Sequence, residues 1–70
     1  MLELDLHGVR HADVKDVVIN FLYDKDMPVR IITGNSNSMK NIVKEVLDQF
    51  NLEAMYESPN NLGALLIVDK

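Results

Sequence analysis

Residues 12–33 read ADVKDVVINFLYDKDMPVRIIT, and two hydrophobic periods meet in this stretch. Val14, Val17, Val18, Phe21 and Leu22 recur at offsets 0, 3, 4, 7 and 8, one stripe of an amphipathic helix over about residues 12–25. Asp13 and Asp16 fall in its first turns, where the positive end of a helix dipole favours carboxylates. Asp26-Met27-Pro28 stops it, because proline cannot continue a helix and restricts the residue before it. Residues 29–33 then read as a short strand. A helix feeding straight into a strand is half of a crossover, and a strand upstream supplies the other half.

That strand is residues 1–7, MLELDLH, where Leu2, Leu4 and Leu6 alternate with Glu3, Asp5 and His7. The crossover rule makes it parallel to residues 29–33. Side chains two apart on a strand share a face, roughly 6.6 Å from each other at about 3.3 Å per residue. Asp5 and His7 are therefore expected side by side at a strand end, just before Gly8. They are either solvating residues of a sheet face or half of an active site.

Downstream, residues 33–38 (TGNSNS) are a cluster of turn and cap residues, with Asn37 or Ser38 as the expected helix cap. A second helix is expected over about residues 39–51, with its stripe at Met39, Ile42, Val43, Val46, Leu47 and Phe50. Residues 52–57 alternate as a third strand, SPNN turns the chain, and residues 63–68 form the last strand. The order is β-α-β-α-β-β. The expected fold is an α/β (α+β) two-layer sandwich: a mixed four-stranded sheet with two helices on one face. Arg30, Glu53 and Glu57 then join Glu3, Asp5 and His7 on the open face, with Arg30 expected to pair with Glu3 or Asp5.

Seventy residues make a single domain, and 47% hydrophobic with 26% charged residues is a globular composition. The absence of cysteine fits a reducing, intracellular setting, and no apolar run approaches a membrane span. The expectation is a soluble cytoplasmic protein with no membrane partner. A net charge of −4 counts against an electrostatic grip on nucleic acid spread over the whole surface. The parallel crossover nevertheless gathers His7, Arg10, His11, Lys15, Lys40 and Lys44 at one end of the domain, opposed by Asp5, Asp13, Asp16 and Glu45, a modest bias that leaves that end tolerant of phosphate.

Residues 32–38, ITGNSNS, lead from a strand into a helix, and a helix N-terminus is a ready anion site. The loop is neither GxxxxGK[ST] nor GxGxxG, so by itself it also reads as an ordinary capped connection. Two histidines without cysteine give no zinc signature, and His11 reads as a solvated or capping residue. A triad of Asp5, His7 and Ser36 or Ser38 lacks anything to fix the serine.

These features together resemble the Smr (small MutS-related) domain. Leu4-Asp5-Leu6-His7-Gly8 fits that family's first motif completely, and residues 9–14 sit at the entry to its first helix. Residues 32–37 sit at its second motif, HGxG or TGxG, although Ser36 stands where the second glycine belongs. Gly63 matches the glycine-bearing last segment loosely, and the likeness spans residues 4–68. The resemblance implies a sandwich similar to the C-terminal domain of a bacterial translation initiation factor. It also implies nicking of DNA, cleavage of RNA or binding alone, with Asp5 and His7 as the catalytic pair.

The resulting expectation is an endonuclease domain acting on phosphodiester bonds, with RNA favoured over DNA. His7 acts as general base or acid, because an imidazole changes protonation near neutrality. Asp5 either orients His7 or holds a divalent cation, Mg or Mn. The nucleic acid is expected along Gly8, Arg10, Gly34, Asn35, Ser36, Asn37, Ser38 and Lys40, with a phosphate at the second helix's N-terminus. The alternative is a non-catalytic module that binds nucleic-acid structure or a protein.

Overall fold

A computed structural model describes all 70 residues as β1 (Glu3–Asp5), α1 (His11–Leu22), β2 (Val29–Ile32), α2 (Asn37–Gln49), β3 (Leu52–Ser58) and β4 (Asn61–Asp69). The sheet order is β1-β2-β4-β3. β1 runs parallel to β2, while the β2–β4 and β4–β3 pairs are antiparallel. The chain is thus the α+β two-layer sandwich its periodicities imply, with a mixed four-stranded sheet and both helices on one face.

The two helical stripes explain the layering. Val14, Val18 and Leu22 of α1 and Met39, Val43, Val46 and Leu47 of α2 are buried, and they meet Val29, Ile31, Leu65 and Ile67 of the central strands. Leu6 and Leu52 complete this single core. Burial of one such aliphatic side chain contributes about 1.5–3 kcal/mol, so one face of the sheet dictates where both helices lie.

The element ends depart from expectation for local reasons. β1 covers three residues rather than seven, and Leu2 is exposed, Leu4 partly buried and Leu6 fully buried. The backbone of Leu2 still accepts from Arg30 N–H at 2.9 Å, but β1 is an edge strand and no helix covers its start. Beyond Asp5 the chain turns out of the sheet: Val9 N–H donates to Leu6 O at 3.0 Å, and Gly8 takes φ +83°. His7 therefore belongs to a turn and not to a strand.

α1 stops at Leu22, before the proline can act, because Asp24 adopts the left-handed conformation at φ +62°. α2 starts at Asn37, and its cap is Ser36 rather than Asn37 or Ser38: Ser36 Oγ accepts from Met39 N–H at 3.1 Å. Such a cap is worth about 1 kcal/mol relative to alanine and only a few tenths relative to glycine. Asn51 at φ +57° closes α2, a common left-handed helix end.

On the open face, Arg30 takes Glu57 as its main partner instead of Glu3 or Asp5. Its Nη2 donates to Glu57 Oε2 at 2.7 Å and its Nε donates to Oε1, while Glu3 Oε1 lies 4.0 Å from Nη1. The reason is the strand order. β4 stands between β2 and β3, and the long arginine spans it to reach the end of β3. The hydrogen bond from Arg30 holds the Glu57 carboxyl below its ordinary value of 4.5 and raises the guanidinium in return.

A depressed carboxylate contributes stability above its ordinary range and loses it as pH falls through the lower folded value. Both side chains are about one third exposed, so solvent screening keeps the contribution small. We expect stability to fall on acidification below about pH 4.5 less steeply in Glu57→Gln than in the parent chain. Urea unfolding at pH 7 and pH 3.5 measures this, and equal slopes would show that the pair contributes nothing.

Candidate nucleic-acid interface at the strand ends

The parallel β1–β2 pair brings the two loops of interest together. Asp5 stands opposite Ile32 in register, and Leu6 N–H donates to Ile32 O at 2.9 Å. The turn after β1 and the loop after β2 therefore leave the sheet at the same end, each leading into a helix N-terminus.

In the first loop, Asp5 Oδ1 accepts from the His7 backbone N–H at 2.9 Å. The carboxylate thus orients the backbone of the turn that carries the imidazole. Asp5, His7 and Gly8 are all exposed. Arg10 is the N-cap residue of α1, exposed and without a side-chain capping bond. His11 is the first helical residue rather than the cap. Asp13 N–H donates to Arg10 O at 2.9 Å, and with no side chain bonded into this first turn the N–H groups of His11 and Ala12 are open to an outside acceptor.

The second loop is held more tightly. Thr33 N–H and Gly34 N–H both donate to Gly63 O, at 2.8 and 3.1 Å. Thr33 is the one buried polar residue, and its Oγ1 donates to Gly34 O at 2.9 Å. Gly34 takes φ +65°, a conformation that favours glycine. A Cβ added at Gly63 would lie 3.1 Å from Gly34 Cα, so the glycines lean on one another. Asn35, Asn37 and Ser38 are exposed and Ser36 is half-buried. The N–H groups of Asn37 and Ser38, first in α2, have no acceptor within the helix.

Lys40 is placed differently from the other candidates. Its Nζ lies 5.3 Å from the centroid of the Tyr56 ring on β3, a cation–π distance. β3 is the edge opposite β1, so Lys40 is drawn toward the far side of the sheet from Asp5 and His7. The remaining expected residues, from Asp5 to Arg10 and from Gly34 to Ser38, do converge on the two adjacent loops. Tyr56 and the Gly34–Gly63 contact are the features that sequence reasoning missed. The signal for the first was a tyrosine on an alternating strand, and for the second a glycine opening the last strand.

No group of three or more His, Cys, Asp or Glu side chains stands together in a way that could hold a metal ion. Asp5, the expected ligand for Mg or Mn, is instead engaged with its own turn. No helix is long and apolar enough to cross a membrane. What the two loops can offer chemically is an exposed imidazole, an exposed carboxylate and unpaired N–H groups for an anion. Compared with protein-family models, with curated proteins and with solved structures, the chain matches none.

Proposed function

We propose that this chain is a Smr-like RNA-cleaving domain, with its active site at the adjoining ends of β1 and β2. The observation that carries the reading is the pairing of Leu6 with Ile32, which holds the LDLHG turn beside the TGNS loop. A backbone phosphate would rest on the N–H groups at the start of α2, with Arg10 as a second contact. RNA supplies its own nucleophile. His7 accepts the proton of the 2′-hydroxyl as that oxygen attacks phosphorus, and the bond to the 5′-oxygen breaks. The leaving oxygen takes a proton from solvent, and the product ends in a 2′,3′-cyclic phosphate. Asp5 keeps the His7 turn in position through its backbone hydrogen bond.

This route needs no cation, whereas hydrolysis of DNA needs an activated water for which Asp5 and His7 are thin provision. We expect cleavage of structured RNA to survive EDTA and to stop when the scissile nucleotide lacks its 2′-hydroxyl. Supercoiled DNA should be left intact in the same assay. EDTA-resistant nicking of DNA at an equal rate would overturn the mechanism.

A second reading, a non-catalytic module that binds nucleic-acid structure, is favoured by one observation. The Asp5 carboxylate is used by its own backbone turn, which is what a purely structural aspartate does. Binding without turnover on labelled RNA would select this reading.

A further inference from the structure

A further concavity begins beside the second strand-end loop. It is a groove of about 710 Å³ between α2 and the edge strand β3. Asn37, Lys40, Asn41 and Lys44 line one wall, spaced at 0, 3, 4 and 7 along one stripe of the helix. Met55 and Tyr56 form the other wall, and both are about half exposed. Lysines 40, 44 and 70 against Asp48 and Glu53 give the groove a net charge of +1, in a chain whose total is −4. Three of the seven basic residues are thus gathered on one surface.

We propose that this groove binds a single strand of RNA, with a base stacked on Tyr56 and the neighbouring phosphates on Lys40 and Lys44. The residue types match that chemistry. An exposed aromatic ring offers a base a sequence-tolerant stacking surface, and lysines beside it follow the backbone. Lys40 Nζ lies over the Tyr56 ring, so a base that stacks on that face displaces the ammonium toward the neighbouring phosphate. Asn37, the first residue of α2, belongs to this groove and directly follows the cap Ser36. The groove therefore starts where the proposed phosphate loop ends and extends along α2 toward Asp48, about 16 Å at 1.5 Å per residue. A strand lying in it would hold RNA that flanks the cleaved bond.

The inference rests on the reading of the chain as an RNA-cleaving domain, but its test is independent of cleavage. The probe is a 2′-O-methyl oligouridylate decamer, which binds as a single strand and cannot be cut through its 2′-oxygen. The chain has two tyrosines and no tryptophan, so in Tyr23→Phe all aromatic emission above that of phenylalanine comes from Tyr56. We expect the decamer to quench that emission. In the parent chain, Tyr56→Ala should weaken affinity about tenfold and Tyr56→Phe should preserve it. Lys40→Gln with Lys44→Gln should flatten the slope of log K against log salt by about 1.4, near 0.7 for each phosphate no longer neutralised.

Quenching that is absent, or affinity unchanged in both Tyr56→Ala and the double lysine variant, would overturn the groove. Equal affinity for an acidic peptide of similar length would overturn it too, making this surface a protein site. Loss of cleavage with binding retained would sink the catalytic reading and leave the groove standing.

Discussion

Turnover of RNA by His7→Ala is expected to drop about 100-fold or more, the usual contribution of a positioned acid–base group, while the domain stays folded. His7 is exposed and lies outside the core formed by Leu6, Ile31 and the helical stripes. Its removal should therefore move stability by no more than about 0.5 kcal/mol. Asp5→Asn should behave differently in kind. An amide oxygen can still accept the His7 N–H, so the turn persists and turnover falls less than in His7→Ala. Asp5→Ala removes the acceptor, frees the turn and should approach the His7→Ala level. The double variant Asp5→Ala/His7→Ala should be little worse than His7→Ala, because residues acting as a unit are strongly non-additive. Single-turnover cleavage with urea unfolding on the same samples measures all of this. Folded variants that cut at the parent rate would remove Asp5 and His7 from the mechanism and favour the binding module.

The distinction between Asp5→Asn and Asp5→Ala arises only from the structure. Alternation in residues 1–7 implied that the two side chains share a strand face, whereas Asp5 reaches the His7 backbone in a turn. Periodicity reports which side chains are apolar at which spacing, and it cannot see a side-chain oxygen that ends a strand. The same blindness put the cap of α2 at Asn37 or Ser38 instead of Ser36, whose Oγ takes the Met39 N–H.

Where burial decides, most of the expected stripes are core, while Val17, Phe21, Ile42 and Phe50 are only partly buried and Leu2 is exposed. The stripes of Val14, Val18 and Leu22 and of Met39, Val43, Val46 and Leu47 are the buried helix faces. Together with the crossover rule they placed β1 parallel to β2 and brought the two loops together. Contacts between residues distant in the chain were not legible. Arg30 meets Glu57 across β4, which inserts between β2 and β3, and Lys40 meets Tyr56 because α2 packs beside β3; no local pattern encodes either arrangement. The role of Ser36 is likewise visible only in three dimensions. At that position the chain uses a hydroxyl to cap α2, and the left-handed conformation is taken by Gly34.

The glycine that opens the last strand yields the second large effect. Gly63→Ala puts a methyl 3.1 Å from Gly34 Cα and 3.3 Å from its carbonyl carbon, both backbone atoms that cannot rotate away. Gly63 O meanwhile accepts from Thr33 N–H and Gly34 N–H, so the two backbones cannot separate without losing those bonds. The backbones must give by a few tenths of an ångström to admit the methyl, and where they are held as these are, overpacking costs about 1–3 kcal/mol. The total stability expected for 70 residues is only about 3.5–10 kcal/mol, and each kcal/mol lowers Tm by about 4–8 °C in a domain this small. Thermal unfolding should therefore show a large loss for Gly63→Ala, while the exposed neighbour Leu62→Ala stays within about 0.5 kcal/mol. Gly34→Ala separates contact from conformation. Nothing lies within 4 Å of a Cβ built there, but φ is +65°, so its cost is backbone strain of about 1–2 kcal/mol without a clash. If the TGNS loop receives a phosphate, Gly63→Ala should also lower cleavage at temperatures where the protein is still folded, because relieving the clash shifts the loop away from β4. Parent-level cleavage by the folded Gly63→Ala protein would mean that the position of this loop is immaterial to the reaction.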